Sequence, residues 1–423
     1  MPPIRNAPLV LLIVVWFATS FPPARRFEGE AFAGDWPQVL GPNRDGKAVG
    51  ETIVPWTAPP KIRWRVPCGA GYAGVAVTNG KVLLWHRQDE HELLDCLSTE
   101  DGQRLWQAKF PAVYRGGVEP DLGPRCVPLV SGEHVFVYGA AGDLSAVSIA
   151  DGTTLWTRQL RTDYAADDGY FGAGSSPIVF KKNLIVPVGG SDDAGLVAVN
   201  TSDGQTRWTA VDQEAAYSSP VKIEIDGQTR IIAALRLQTV MIDPESGKVL
   251  SEIDFGKRGP TVIAATPLIE HERMLLTAAY GVGCRMLDMS VKPPKDLWSS
   301  SDVISSQYAT PVHIGDWLYA ITGREDFGTG ELLCARWSDG KVTWRQPGFG
   351  TAHLIGAGDR VLSQLISGRL ELFAADASKF RSLAETELPA GIYRALPALS
   401  AGTLYCRRSI SSSEGELIAI DLK

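Results

Sequence analysis

His86, Asp89 and His91 are close enough along the chain to share a transition metal, but their spacing matches no closed zinc pattern. Farther on, Asp163, Asp167, Asp168, Asp192 and Asp193 could offer oxygen ligands to a hard cation. The competing reading is a set of solvated loop carboxylates that support their own turns. Tyr114, Arg115, Glu119, Asp121 and Arg125 add aromatic and charged groups, as do Tyr164, Tyr170, Arg324, Glu325, Asp326, Tyr393 and Arg394. We take these segments as a candidate ligand face. Catalysis has less support, because no Ser, His and Asp can be assembled into a nucleophile set from local motifs, and His134, His271 and His313 read as structural. No Cys-x-x-Cys-His is present to attach a haem. Gly69-Ala70-Gly71-Tyr72-Ala73-Gly74 spells Gly-x-Gly-x-x-Gly, yet a dinucleotide site needs a helix N-terminus after it to hold pyrophosphate. Val75 to Trp85 instead reads as two strands around Asn79-Gly80, so the motif is a turn loop.

Residues scattered over three hundred positions can share one face only if the elements carrying them repeat. They do: Asp-Gly followed by Trp recurs at Asp101-Gly102 with Trp106, Asp151-Gly152 with Trp156, Asp203-Gly204 with Trp208, and Asp339-Gly340 with Trp344. Trp64 and Trp298 keep the beat in altered surroundings. A period of 40 to 50 residues marks copies of one supersecondary unit that bury their apolar faces only by stacking. Each copy holds short β-branched or aromatic runs between turn residues, such as Lys81 to Trp85, Val135 to Tyr138, Leu184 to Val188 and Trp317 to Ile321.

Eight such units fill Pro67 to Lys423, a length that suits four-stranded propeller blades. Their openings lie near Ala73-Gly74-Val75, Pro128, Pro177, Pro220, Pro267, Pro311, His353 and Pro397. The last unit ends on its third strand, and the stretch around Trp64 supplies the missing fourth. The expected fold is therefore all-β: an eight-bladed β-propeller of four-stranded antiparallel blades, closed by N- and C-terminal strands so that no edge stays open. Units four, five and seven have drifted, with Ser251 in place of Trp, Pro293-Pro294 in place of the turn, and Phe380 where Gly would stand. Loops from fourth to first strands and from second to third strands should share the face that binds.

Residues 1–33 read as a signal peptide, with an uncleaved anchor as the alternative: Arg5 precedes an apolar run to Phe21, and Ala31-Phe32-Ala33 forms a cleavage site. No Cys precedes Cys68, which excludes lipid attachment at a signal-proximal thiol. Residues 34–60 form a Pro- and Gly-punctuated lead-in, and 61–423 the propeller. An exported protein of the periplasm or cell envelope follows, with membrane contact only through an uncleaved N-terminal segment. The formal charge of −7 leaves no cationic surplus for a nucleic-acid backbone. Six cysteines could pair, but Cys96 and Cys334 fall where other units place Ala146, Ala198 and Met241, which points to small core positions.

The unit Leu-x-Ala-x-(Asp/Asn)-x-x-x-Gly-x-x-x-Trp, seen at Leu144 to Trp156 and Leu196 to Trp208, resembles the tryptophan-docking repeat of the pyrroloquinoline-quinone (PQQ) propeller superfamily. Asp35-Trp36-Pro37 with Gly41-Pro42-Asn43-Arg44 looks like the lead-in of its exported members. The resemblance implies that Trp64, Trp106, Trp156, Trp208, Trp298 and Trp344 wedge between neighbouring blades. It also implies one of two functions: a quinoprotein dehydrogenase holding PQQ and Ca²⁺ on the ring axis, or a BamB-like binding scaffold without catalysis. The adjacent cysteine pair on which PQQ usually stacks is missing here. We therefore expect a scaffold with no cofactor that binds a protein, small molecule or carbohydrate on its loop face; the dehydrogenase with PQQ and Ca²⁺ is the alternative. An enzyme should gather carboxylates and an arginine around an axial slot with an aromatic floor. A scaffold should show a plugged or water-filled channel and exposed aromatic or charged loops.

Overall fold

A computed structural model describes residues 34–423. The signal-peptide reading of residues 1–33 lies outside the described residues. Eight four-stranded antiparallel sheets make up the chain: blade 1 (76–111), blade 2 (129–159), blade 3 (178–210), blade 4 (221–254), blade 5 (268–300), blade 6 (312–346), blade 7 (352–387) and blade 8. Blade 8 joins Ala398–Ser400, Thr403–Ser409 and Glu414–Asp421 to Ile62–Gly69 from the start of the ring. The closing strand pairs in register, Arg65 with Ile418 and Val66 with Leu417. The β-propeller is thus shut by its two ends. Blade 1 opens at Ala76, a little later than Ala73, because Gly69 ends the closing strand, Ala70 bridges to Arg87 and residues 71–75 form a loop. That loop is followed by a strand, as a turn-loop reading of the motif requires.

Strand composition follows position. Second strands lie between neighbouring blades and are covered on both faces, so Val82 to His86 is buried without interruption. Fourth strands form the rim, and Arg104–Pro111 alternates exposed and covered residues. Among the described residues, helix is confined to one turn, Leu160–Asp163, and a 3₁₀ turn, Glu325–Phe327.

The repeat tryptophans join blade to blade. Each indole N–H donates to a carbonyl in the next blade: Trp64 to Thr99 (3.0 Å), Trp106 to Ile149 (3.2 Å), Trp156 to Thr201 (3.0 Å), Trp208 to Pro244 (3.3 Å), Trp298 to Trp337 (3.0 Å) and Trp344 to Asp376 (2.9 Å). The turn glycine has two reasons to be glycine. Gly204 holds φ +70°, and a Cβ there would come within 2.8 Å of the Trp156 ring. Gly102, Gly152, Gly247 and Gly340 meet the preceding Trp in the same way. At the drifted blade 7 turn, Phe380 replaces glycine and packs edge-on against Trp344 with centroids 5.8 Å apart. Across the strand from these tryptophans stand Cys96, Ala146, Ala198 and Cys334, all buried. The two thiols are core positions. Among the described residues all six cysteines are free.

The lead-in crosses the face that carries the first-to-second strand turns. Trp36 pairs with Val77 of blade 1, and the Pro37 carbonyl accepts from Val130 N–H of blade 2 (2.8 Å). Arg44 enters the channel fully buried, donating to the carbonyls of Ser176 (3.3 Å), Pro177 and Pro220 (2.8 Å), with its Nε on Gln38 (2.8 Å). Burial lowers its pKa to about 9. Lys47 pairs with Glu270 (3.2 Å), Ala48 N–H reaches Gly356 (2.8 Å), and Glu51 accepts from Ala401 and Gly402 (2.6 and 2.7 Å). Val39 and Leu40 pack against Val127 and Leu396 on the inner wall. This segment plugs one end of the channel.

Candidate functional site

At the other end of the channel, the fourth-to-first and second-to-third strand loops enclose a cavity of about 630 Å³ on the ring axis. The repeat itself aims side chains into it. In several units the residue three places before the opening proline faces the axis: Arg125 before Pro128, Tyr217 before Pro220, Ala264 before Pro267, Tyr308 before Pro311 and Arg394 before Pro397. The proline starts the innermost strand, and the chain just ahead of it has nowhere to turn except over the axis.

Arg394 is the hub. Its Nε and Nη2 donate to Glu325 Oε1 (3.0 and 2.9 Å), and its Nη1 donates to Glu119 Oε1 (3.1 Å) and the Tyr72 hydroxyl (3.1 Å). Tyr72 donates to the same Glu119 oxygen (3.0 Å), and Tyr308 donates to Glu325 Oε2 (2.7 Å). Burial opposes the Arg394 charge, but the paired Glu325 carboxylate holds its pKa above the usual range. Burial pushes the Tyr72 phenol up to about 12, and burial with Glu325 pushes Tyr308 up further, so both stay protonated donors. The Arg394 carbonyl accepts from His353 Nε2 (2.8 Å). Burial lowers the His353 pKa, and its Nδ1 is buried without a partner, which fits a neutral ring protonated on Nε2.

Around this hub the wall is aromatic. The Arg324 guanidinium lies 4.4 Å from the ring centroids of both Tyr280 and Phe327 and pairs with Asp326, which holds that carboxyl below its usual pKa. Gln307 Nε2 donates to Tyr280 (3.2 Å) and Asp326 (3.3 Å). Arg125 sits over Tyr72 and Phe171, 5.7 and 5.9 Å from their centroids, and donates to the Gly123 and Asp121 carbonyls (2.9 and 3.0 Å). The Asp121 carboxylate accepts from Gly71 and Gly123 N–H groups (2.9 and 2.8 Å), which pins the loop of residues 71–75 beside the cavity. Tyr217 accepts from Phe171 N–H (2.9 Å) and meets its ring edge-on.

Of the residues singled out from sequence, Glu119, Arg125, Tyr170, Arg324, Glu325, Asp326 and Arg394 line this cavity. The rest do not join them. His86 lies in the interior of blade 1, accepting from Gly69 N–H (3.0 Å) and paired with Asp95 (3.1 Å), while Asp89 and His91 stay at the hairpin tip. It stands in a second strand covered on both faces while the other two stay at the tip, so the three form no metal set. Tyr114 is buried, and Tyr393 is fully buried with its hydroxyl donating to Pro389 (2.7 Å); each precedes or follows a loop residue but faces the core. Arg115 pairs with Glu90 (3.3 Å) on the outer loop. Asp163 pairs with Arg158 (2.8 Å), Asp168 with Arg161 (3.4 Å), and Tyr164 meets Thr206 (2.6 Å). Asp192 and Asp193 take positive φ in an exposed turn. The carboxylates expected to cluster are thus divided among separate arginines and turns. Among the described residues no three His, Cys, Asp or Glu side chains converge as metal ligands. Sequence reading missed Tyr72, Phe171, Tyr217, Tyr280, Gln307, Tyr308 and His353; the offset from the opening proline would have found Tyr217 and Tyr308.

A second cavity of about 530 Å³ lies off the axis between blades 3 and 4, near Arg161, Arg236 and Arg258. Its walls mix glycines and alanines with charged side chains, of which Arg236 and Glu214 form an ion pair (3.8 Å).

The same ring is found in proteins of known structure. Similar folds include BamB from Moraxella catarrhalis (TM-score 0.61, 13% identity, covering 84% of this chain and 96% of that one). Quinohemoprotein alcohol dehydrogenase from Comamonas testosteroni matches at TM-score 0.68 and 13% identity, over 94% of this chain and 82% of that one. A europium-containing methanol dehydrogenase matches at 0.67 and 10%, over 92% and 98%. At these identities the likeness concerns the fold alone. No curated protein matches the sequence. The family model described as outer membrane protein assembly factor BamB matches residues 51–211 and 172–346. With that match over most of the ring, and the Trp-on-Gly docking repeated from blade to blade, the chain belongs to the PQQ-like, BamB-like propeller family.

Proposed function

We propose that this protein is an exported, non-catalytic propeller that binds a ligand in its axial cavity. The observation that carries the reading is that the axial carboxylates are already engaged. Both Glu325 oxygens are taken by Arg394 and Tyr308, one Glu119 oxygen serves Arg394 and Tyr72, and Asp326 serves Arg324 and Gln307. Such groups can orient a ligand by hydrogen bonds, but a Ca²⁺ ion, which takes six to eight oxygens, would have to break these pairs first. No cysteine lines the cavity to stack against a quinone. The residues present therefore fit PQQ with Ca²⁺ poorly, and no redox step is assigned to them. The plugged channel supports the same reading, because it makes the cavity a blind bowl open only on the loop face.

One observation favours the dehydrogenase alternative: an arginine, three carboxylates and aromatic rings do gather on the axis. Calorimetric titration with PQQ, with and without Ca²⁺, separates the two. The binding-only reading expects no Ca²⁺-dependent heat and no change in the quinone spectrum. Calcium-dependent binding at micromolar affinity or tighter would overturn it and call for an alcohol and sugar oxidation screen.

A further inference from the structure

We propose that the ligand of the axial cavity is a neutral carbohydrate of one or two sugar rings. The inference rests on the reading of that cavity as a binding site, and it follows from what the walls would do to each class of ligand. The charged groups of the lining balance: Arg125, Arg324 and Arg394 against Glu119, Glu325 and Asp326. A polyanion would find no net positive field, and a polycation no net negative one. A purely apolar ligand would cover Glu119 Oε2, which accepts no hydrogen bond among the described residues, and would leave that oxygen without a partner. A sugar meets both demands.

Its hydroxyls pair with planar side chains that present donors and acceptors side by side, as Arg394, Glu325 and Gln307 do around the hub. Its C–H faces lie on aromatic faces, whose negative quadrupole attracts the weakly positive hydrogens. Tyr170, Phe171 and Tyr217 come from the loops between blades 2 and 4, and Tyr280 and Tyr308 from blade 5 and the loop to blade 6, so a ring entering the cavity meets aromatic side chains of several blades. Tyr170 is 38% exposed: its carbonyl accepts from Val118 N–H (3.2 Å), while its hydroxyl makes no hydrogen bond among the described residues and is free for a ligand. The volume, about 630 Å³, lies within the few hundred to about 1,000 Å³ typical of small-ligand sites.

The test presents the purified protein to an array of neutral and charged glycans, followed by titration calorimetry of neutral disaccharides such as cellobiose, maltose and N,N′-diacetylchitobiose. Tyr170→Ala removes a stacking face without touching the fold, and Arg394→Gln removes the central donor. The expected result is binding of at least one neutral glycan, weakened tenfold or more by Tyr170→Ala while the melting temperature stays put. Binding that both variants leave unchanged lies outside the cavity and overturns the proposal. So does an array on which only charged glycans bind, or none. In the last case a screen of non-sugar fragments separates the two readings: a fragment whose binding needs Tyr170 keeps the cavity as a binding site and discards only the sugar. A cavity that binds neither discards both.

Discussion

At the scale of single residues, side chains buried against their chemistry report on the fold by titrating. Glu92 in blade 1 is buried, its carboxyl accepting from Ala140 N–H across the blade boundary (2.9 Å), and burial pushes its pKa up to about 7. The folded protein therefore holds a proton between pH 4.5 and 7 that the unfolded chain releases, so this group's contribution is complete below pH 4.5 and is lost as pH rises through 7. Glu92→Gln keeps the neutral form at every pH. The melting temperature of the variant relative to the parent should rise steadily from pH 4.5 to 7 and level off above; a flat difference would place Glu92 in contact with solvent. The site's residues were only partly legible in sequence. Arg394, Glu119 and Glu325 come from segments more than two hundred residues apart in part, and no local motif spells their meeting. His86 and Tyr393 misled because strand ends and loop tips look alike in composition, while packing against distant segments decides which of them is buried.

Elements were far easier to read, because the physics of blade docking writes itself into residue types. At Trp106 and Trp156 a glycine lies beneath the ring and a small residue across the strand, so such a junction leaves a signature of three positions. The signature fades where Phe380 underlies Trp344 or Met286 faces Trp298. Trp156→Ala should cost about 3 kcal/mol, near the low end for large buried aromatics because the ring keeps one exposed edge. Denaturant titration checks it, and a loss below about 1 kcal/mol would mean that the indole does not bind blade 3. Removing residues 61–66 strips most of the strand that closes blade 8 and exposes Leu417, Ile418 and Ala419. That deletion should lower the melting temperature sharply and promote aggregation through the freed edge. An unchanged melting curve would exclude closure by this strand. The lead-in, by contrast, carried no period to read: its path is set by individual contacts with one blade after another, which sequence spacing does not encode.

The whole molecule is a ring whose stability comes from packing and closure without cross-links. Six thiols sit at half-buried or buried positions, and burial raises the pKa of Cys126, Cys284, Cys334 and Cys406 away from reactivity. Melting curves recorded with and without reductant should therefore superimpose, and a thiol count after unfolding should return all six; a shift with reductant would reveal a pairing absent from this fold. The ring also has two unlike ends. One is bound by a segment that reaches nearly every blade and carries the buried Arg44 cation into the channel. The other is open and lined by aromatics.

Gly34, against Ser400, and Lys423, beside Gly402, both lie on the plugged side. A sensor chip coupled through either position would turn every cavity toward the flowing solution, so the protein arrives with a built-in orientation for immobilised assays.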